Sequence, residues 1–328
     1  MSRRIIRLSK LSSRNNNVFI QKCVRFFSTG PYLTLGCNTG DVLLFDPAKE
    51  QIVTLHGKTI PKELKDEEMI GASHGWVFFS DRRDRMVRVS DIYNPFASKS
   101  NPTVIPLPCL TDLPCEQIEQ VCNVAMSSSS PLEKDCLVAI KFSGDQLSLC
   151  RPGRDLEWIN ILTPFHCCEN SNLIRPRAEL HELVYRGPPE MDQSEWEVLS
   201  SCSRREYLVE SSSSDERYLV KWYAHGFYSS VLKGIDYETK RFMVFSEEET
   251  TEGKIMCYTE DIGDMCIFIA SNEAFCIPTS SCPGLKPSTI YFMGRGFGSY
   301  DLTTGDTHHY KAPGGVITTP YWLPPFSM

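Results

Sequence analysis

A chain of 328 residues can bury a sizeable core as two ordinary domains or one large all-β domain, and its uniform patterning favours the single domain. With 41% hydrophobic and 23% charged residues it has a globular composition, and no apolar run is long enough to cross a bilayer, so stable membrane insertion is not expected. The formal charge of −7 conceals an asymmetry: Arg3, Arg4, Arg7, Lys10, Arg14, Lys22 and Arg25 all precede the first acid, Asp41, so the remainder is more acidic than the total indicates and nucleic acid is not an expected partner.

Residues 1–27 have the composition of a mitochondrial targeting presequence, disordered outside the import pathway. Drawn as a helix, Ile5, Ile6, Leu8 and Leu11 lie to one side while Arg3, Arg7, Lys10 and Arg14 line the other, with Arg4 the exception. Such a segment is drawn to anionic membrane and acidic import receptors, and the inside-negative potential pulls its charge across. The import machinery is therefore an expected partner of residues 1–27 and the mitochondrion the expected address, with a chloroplast or dual address as the alternative. Arg25-Phe26-Phe27-Ser28 resembles the plant presequence cleavage pattern and would release a chain beginning at Ser28.

From Pro31 the pattern changes to short β-branched and aromatic runs separated by turns, and residues 31–328 read as one β domain. Asp41–Phe45 and Gln51–Leu55 flank the turn Asp46-Pro47-Ala48-Lys49. Trp76–Phe79 and Met86–Val89 flank Asp81-Arg82-Arg83-Asp84, and Asp91–Pro95 turns the chain. Cys136–Phe142 and Gln146–Cys150 flank Ser143-Gly144-Asp145, and Trp158–Ile161 follows. Tyr207–Glu210 and Tyr218–Trp222 flank a serine-rich turn, and a turn over Ile235–Lys240 leads into Arg241–Phe245. In Tyr258–Phe292 an acidic turn (Glu260, Asp261, Gly263, Asp264) precedes the strand Met265–Ala270. Ser271-Asn272-Glu273 then turns into Ala274–Ile277, and Thr289–Phe292 completes the unit. Ser299–Gly305 closes the last hairpin before His308–Lys311. Lys62–Met69 and Gln193–Ser200 are the short helical candidates.

The same phrase, an apolar strand followed by an Asp-x-x-x turn and a second strand, recurs at Phe45, Val89, Ile235 and Tyr300, with a looser copy at Leu149. Imperfect repeats of this kind predict an all-β, kelch-like β-propeller, in which each blade is one small sheet. Trp76 and Trp222 are expected to face its core. Ring closure is expected where Val42–Phe45 packs beside residues 289–311 and finds its partner in the C-terminal blade. On that reading the chain tolerates truncation before Asp41 but not loss of 41–55.

The words Gly71–Phe79, Ser90–Pro95, Asn123–Pro131, Gln146–Pro152, Gln193–Glu197, Leu208–Ser211, Lys221-Trp222-Tyr223 and nearly all of Tyr258–Tyr291 carry a resemblance. The chain resembles the plant F-box-associated domain-of-unknown-function 295 family, and most closely its organelle-targeted branch lacking an F-box. That resemblance implies a kelch-like propeller with no established enzymatic activity and import into mitochondria. Between Trp158 and Gln193 the sequence is shorter than its relatives, which predicts one shortened blade. F-box relatives begin with a leucine-rich three-helix segment that docks a ubiquitin-ligase scaffold, whereas strands are expected here directly after Pro31.

Several motifs suggest chemistry. Gly71-Ala72-Ser73-His74-Gly75 matches the G-x-S-x-G nucleophile elbow, but that elbow needs a helix after the serine and Trp76–Ser80 reads as a strand. Gly294-Arg295-Gly296-Phe297-Gly298 suggests a phosphate cradle, yet no Lys-Ser/Thr follows and no helix begins there, so a tight inter-strand loop is expected. His308-His309 lies in an expected strand, where adjacent side chains point to opposite faces and cannot chelate together. His74 and His225 each precede a glycine in an expected loop. The acids at Glu247–Glu249, Glu252 and Asp261–Asp264 read as solvated turns, with a calcium or partner site as the lesser alternative. The 14 cysteines are scattered, with no C-x-x-C spacing, and Cys167-Cys168 are adjacent; they read as small buried hydrophobes in a reducing compartment.

The functional expectation is a non-enzymatic protein-interaction scaffold in mitochondria with an unidentified protein partner and no cofactor, metal or catalytic residue. The alternatives are an F-box-type substrate adaptor of a ubiquitin ligase in cytosol or nucleus, and an organellar hydrolase using Ser73 with a nearby acid–base pair.

Overall fold

Alternating runs bounded by Asp, Gly and Pro become strands along most of the chain. The computed structural model describes residues 4–8, 29–38, 40–65, 67–81, 83–110, 118–144, 146–162, 178–182, 184–186, 191–211, 216–230, 233–251, 253–311 and 320–326. A short strand β1 (Arg4–Leu8) comes first. The first blade follows with β2 (Tyr32–Asn38), β3 (Asp41–Asp46) and β4 (Gln51–His56), the second with β5 (Glu68–Ser73), β6 (Trp76–Ser80), β7 (Met86–Ser90) and β8 (Val104–Cys109). The third holds β9 (Ile118–Met126), β10 (Val138–Ser143), β11 (Gln146–Cys150) and β12 (Ile159–Leu162). After β13 (Ala178–Glu182), β14 (Val184–Arg186) and the helix α1 (Gln193–Ser201), the fourth blade is β15 (Ser203–Ser211), β16 (Arg217–Ser229), β17 (Gly234–Thr250) and β18 (Gly253–Thr259). The last is β19 (Met265–Ile269), β20 (Phe275–Pro278), β21 (Thr289–Met293), β22 (Phe297–Asp301) and β23 (Thr307–His309), before the two-residue β24 (Trp322–Leu323).

Each of the first three blades is a four-stranded sheet, and the last two join in one ten-stranded sheet through a parallel contact of Glu210 and Ser211 with Phe275 and Cys276. Apolar residues on both faces of a blade let neighbours pack face to face. Val42 and Leu44 meet Val77 and Phe79 between the first and second blades, and Val87 and Val89 meet Val124 and Val138 between the second and third. Trp222 and Phe242 of the fourth blade pack with Ile267 and Phe292 of the fifth. The fifth returns to the first through Phe268, Tyr291 and Phe297 against Leu33 and Phe45. Leu208, Leu219 and Met243, on the opposite face of the fourth blade, are covered by Leu199 of α1 with Tyr185 beside it. Among the described residues no buried cluster joins the third blade to the fourth. The shortening expected between Trp158 and Gln193 falls largely on residues outside the description.

The ring closes by a different strand from the one expected. Phe45 does pack beside residues 289–311, its ring 4.9 Å from Phe297 and 5.1 Å from Tyr310. Among the described residues, however, its strand β3 pairs only with β2 and β4. Closure is made by the C-terminal β24, which adds antiparallel to β2 with Leu33 opposite Trp322. Because β2 carries the fully buried Leu33 and Thr34, the expectation that truncation before Asp41 is tolerated is corrected: that cut removes a core strand.

Three further readings change. Ile235–Lys240 is part of β17 and not a turn: Ile235, Tyr237 and Thr239 share one face and Asp236, Glu238 and Lys240 the other, a period-two pattern that outweighs the turn-forming Asp. Among the described residues of Lys62–Met69 the helical part is only a 3-10 turn at Lys62–Leu64, because Glu68–Ser73 pairs as β5 with β6. The helix at Gln193 forms as expected. Trp222 is fully buried, but Trp76 sits half-buried at the start of β6, where its Nε1–H donates to Ser129 O at 3.2 Å.

Arg4–Leu8 lies in a separate two-stranded ribbon with β13, whose register sets Arg4 opposite Glu182 and Arg7 opposite Glu179. Residues 9–28, including the expected cleavage point, are outside the description. The ten described cysteines are free thiols and six of them are buried; Cys167 and Cys168 are also outside the description.

Candidate functional site

The G-x-S-x-G run is a strand–turn–strand, as its context predicted. His74 (φ 51°) and Gly75 (φ 84°) form the two left-handed residues that join β5 to β6, the conformation a two-residue hairpin turn requires. Both outer glycines answer to packing. A Cβ on Gly71 would come within 2.5 Å of Val124 Cγ2 in the third blade, and one on Gly75 within 2.6 Å of the Phe326 ring. Ser73 is 2% exposed; its hydroxyl donates to Glu273 Oε2 at 2.6 Å and accepts from the Met126 N–H at 3.0 Å. This hydroxyl ties the second blade to the third and to the 270–274 loop of the fifth. The same loop accepts from Asn123 Nδ2 at Ser271 O (3.4 Å) and holds β24 through Asn272, which donates to Trp322 O (2.9 Å) and accepts from Trp322 N–H (3.2 Å). A hydroxyl spent on holding three blades together is poorly placed to attack a substrate.

The other singled-out residues separate in the structure. His308 and His309 are adjacent in β23, and His308 Nε2 lies 3.1 Å from Glu50 Oε2, a contact between the last blade and the first. His225 is in β16 opposite Glu238 and not in a loop, because the hairpin runs further than its glycine suggested. Glu247–Glu249 belong to β17 and not to a turn; Glu247 meets Arg217 at 3.1 Å and Lys254 at 3.0 Å. Asp261 accepts from Ser288 Oγ at 2.6 Å and from the Gly263 N–H at 2.8 Å. Asp264 accepts from Thr279 Oγ1 and the Ser280 N–H. These donors hold both carboxyls below their ordinary pKa, the Ser288 and Ser280 side chains contributing most. Among the described residues no three His, Cys, Asp or Glu side chains converge as a metal site. The expected tight loop between β21 and β22 is Gly294-Arg295-Gly296, with Phe297 and Gly298 already in β22, and its arginine turns inward and is 4% exposed.

The feature that sequence reasoning missed is an arm. Strands β16 and β17 have 13 and 17 residues, while β15 and β18 on either side have 9 and 7. Pairing with β15 ends at Ala224 and pairing with β18 begins at Val244, so the hairpin between His225 and Glu238 extends beyond the blade with neither edge covered by these neighbours. A bare two-stranded ribbon is marginal in water. This one is fastened at its base by Tyr237, whose ring lies 5.0 Å from the Arg295 guanidinium, and by Trp222 Nε1–H donating to Thr239 Oγ1 at 2.9 Å. Its outer end exposes Phe227 at 44%, Ile235 at 67% and Tyr228 at 74%, with Tyr228 directly opposite Ile235. Apolar side chains held in water on a fastened ribbon have the character of a contact surface.

No curated protein matches the chain by sequence. The blade architecture agrees with the family model described as the KIB1-4 beta-propeller, which matches residues 44–313, and the chain therefore belongs to that family.

Proposed function

We propose that this protein is a non-enzymatic interaction scaffold of mitochondria that engages a protein partner through the hairpin arm. The exposed Phe227, Tyr228 and Ile235 carry this reading, since a β-propeller that served only as a rigid body would have no use for a ribbon ending in three apolar side chains. Family membership supports an interaction role in general terms. The resemblance to the organelle-targeted F-box-associated branch, together with the acid-free leader, supports the address. A ubiquitin-ligase adaptor in cytosol or nucleus is the second reading; only the F-box-bearing members of the wider family favour it, and the basic leader opposes it.

Two measurements test the two halves of the proposal. Changing Phe227, Tyr228 and Ile235 together to serine should leave the denaturation midpoint nearly unchanged, within about 0.5 kcal/mol, because exposed positions contribute little to folding. The triple variant should lose the neighbours that proximity labelling finds around the wild-type protein; an unchanged set would remove the arm from the function. Residues 1–40 fused to a fluorescent protein should enter mitochondria, and Arg3, Arg7 and Arg14 changed to Glu should stop entry. A wild-type fusion left diffuse in the cytosol would overturn the address while leaving the arm untouched.

A further inference from the structure

The buried loop arginine and a second arginine form a corner of positive charge. Arg295 donates from Nη1 to Ser203 O at 2.8 Å and from Nη2 to Ser203 Oγ at 2.7 Å, and its Nε, shielded from solvent, meets no acceptor. Ser203 opens β15, and alternation along that strand places Arg205 and Tyr207 on the same face as Ser203. Arg205 bonds the Tyr207 hydroxyl, and its Nε is likewise shielded and unpartnered. Elsewhere the shielded arginines face carboxylates: Arg88 meets Glu67, Arg217 meets Glu210 and Glu247, and Arg241 meets Glu195. Among the described residues no carboxylate stands against Arg205 or Arg295. The groups that act on Arg295 are Arg205, Tyr207, Tyr237 and Cys202; burial first, and then Arg205, pull its pKa below the ordinary value.

Two like charges with unused donors in a desolvated place are costly unless an anion completes them. Ser203 is exposed, so the corner lies beside solvent where β15 begins. We propose that this corner is a binding site for a tetrahedral oxyanion of the phosphate type, held between the Nε donors of Arg205 and Arg295. The Ser203 and Tyr207 hydroxyls accept from the arginines and keep their own protons free to donate to the anion. A planar guanidinium suits this geometry better than an ammonium. The site shares Arg295 with the base of the arm but includes none of the exposed tip residues Phe227, Tyr228 and Ile235, so either can exist without the other.

The test uses the full chain and follows its thermal midpoint, with calorimetric titration alongside, against inorganic phosphate, sulfate and O-phosphoserine, with chloride at matched ionic strength. The wild type should show a saturable rise with phosphate and none with chloride. A response to O-phosphoserine at lower concentration than to phosphate would identify a phosphate ester as the ligand, and the reverse order the free anion. Arg295 is a poor target for substitution because it also fixes Ser203, so Arg205 is changed. Arg205→Gln, which removes one of two like charges and keeps an amide that can donate to the Tyr207 hydroxyl, should weaken phosphate binding tenfold or more. Arg205→Lys, which keeps the charge without the planar fork, should bind with intermediate affinity. Absence of a saturable phosphate response, an equal response to chloride, or an undiminished response in Arg205→Gln would each overturn the site.

Discussion

Trp222→Ala is expected to destabilise the protein by about 3–5 kcal/mol, the usual range for deleting a large aromatic from a packed core. The indole is fully buried where the fourth and fifth blades meet. It stacks on Phe242 at 5.2 Å, meets Phe292 edge-on at 5.5 Å and lies 6.3 Å from Tyr207. Its Nε1–H donates to Thr239 Oγ1, which in turn donates to Arg295 O at 2.8 Å. Alanine would therefore leave a cavity and release the chain of hydrogen bonds that anchors both the arm and the β21–β22 loop. Trp222→Phe keeps most of the ring contacts and loses the hydrogen bond, so its cost should be smaller, about 1–2 kcal/mol. Trp76→Ala, at a half-buried blade end, should move the denaturation midpoint far less than Trp222→Ala. A midpoint for Trp222→Ala indistinguishable from wild type would mean that this core does not carry the junction.

Much of the propeller was legible because its turns are chemically distinct from its strands. In Tyr258–Phe292, Asp, Gly and Pro bracket each apolar run, and β19, β20 and β21 fall within a residue of the expected bounds. Legibility failed where local pattern and tertiary context disagree. Leu33, Thr34 and Leu35 of β2 are all buried because both faces of that strand are covered, so it lacks the alternation that marks a half-exposed strand. Trp322-Leu323 is a two-residue strand between Pro320 and Pro324, and nothing in so short a run marks it as the strand that completes a sheet.

The candidate sites were hidden for related reasons. Phe227 and Tyr228 look like core residues in a sequence, and only the point at which β15 stops pairing shows that they lie beyond the blade. Arg295 sits in a glycine run that correctly reads as a tight loop. Its partner Ser203 is 92 positions away, a separation no local motif can report.

The closing strand carries the second large effect. Removing residues 1–28 should leave the denaturation transition unchanged in midpoint and steepness, because among the described residues the first engaged by the blades is Thr29, whose N–H donates to Phe326 O at 2.9 Å and whose hydroxyl accepts from the Phe326 N–H at 3.0 Å. Removing residues 1–40 takes β2 as well. Tyr321 then loses both its bonds to Thr34, the one from Thr34 N–H to Tyr321 O and the one from Tyr321 N–H to Thr34 Oγ1, each 2.9 Å. Trp322, fully buried and 5.1 Å from the Phe268 ring, would lose Leu33 beside it, and the inner edge of β3 would be left without a neighbour. An unpaired edge beside exposed apolar surface favours association with other chains over folding. The chain lacking residues 1–40 should therefore aggregate or lose its cooperative transition, and a chain ending at residue 319 should fail in the same way from the other side of the join. Trp322→Ala, which keeps the backbone pairing and deletes only the ring, should fold with a cost of about 3–5 kcal/mol. These three outcomes separate strand pairing from side-chain packing at the join. Cooperative unfolding of the chain lacking residues 1–40 at the wild-type midpoint would show that the first and last blades hold together without β2.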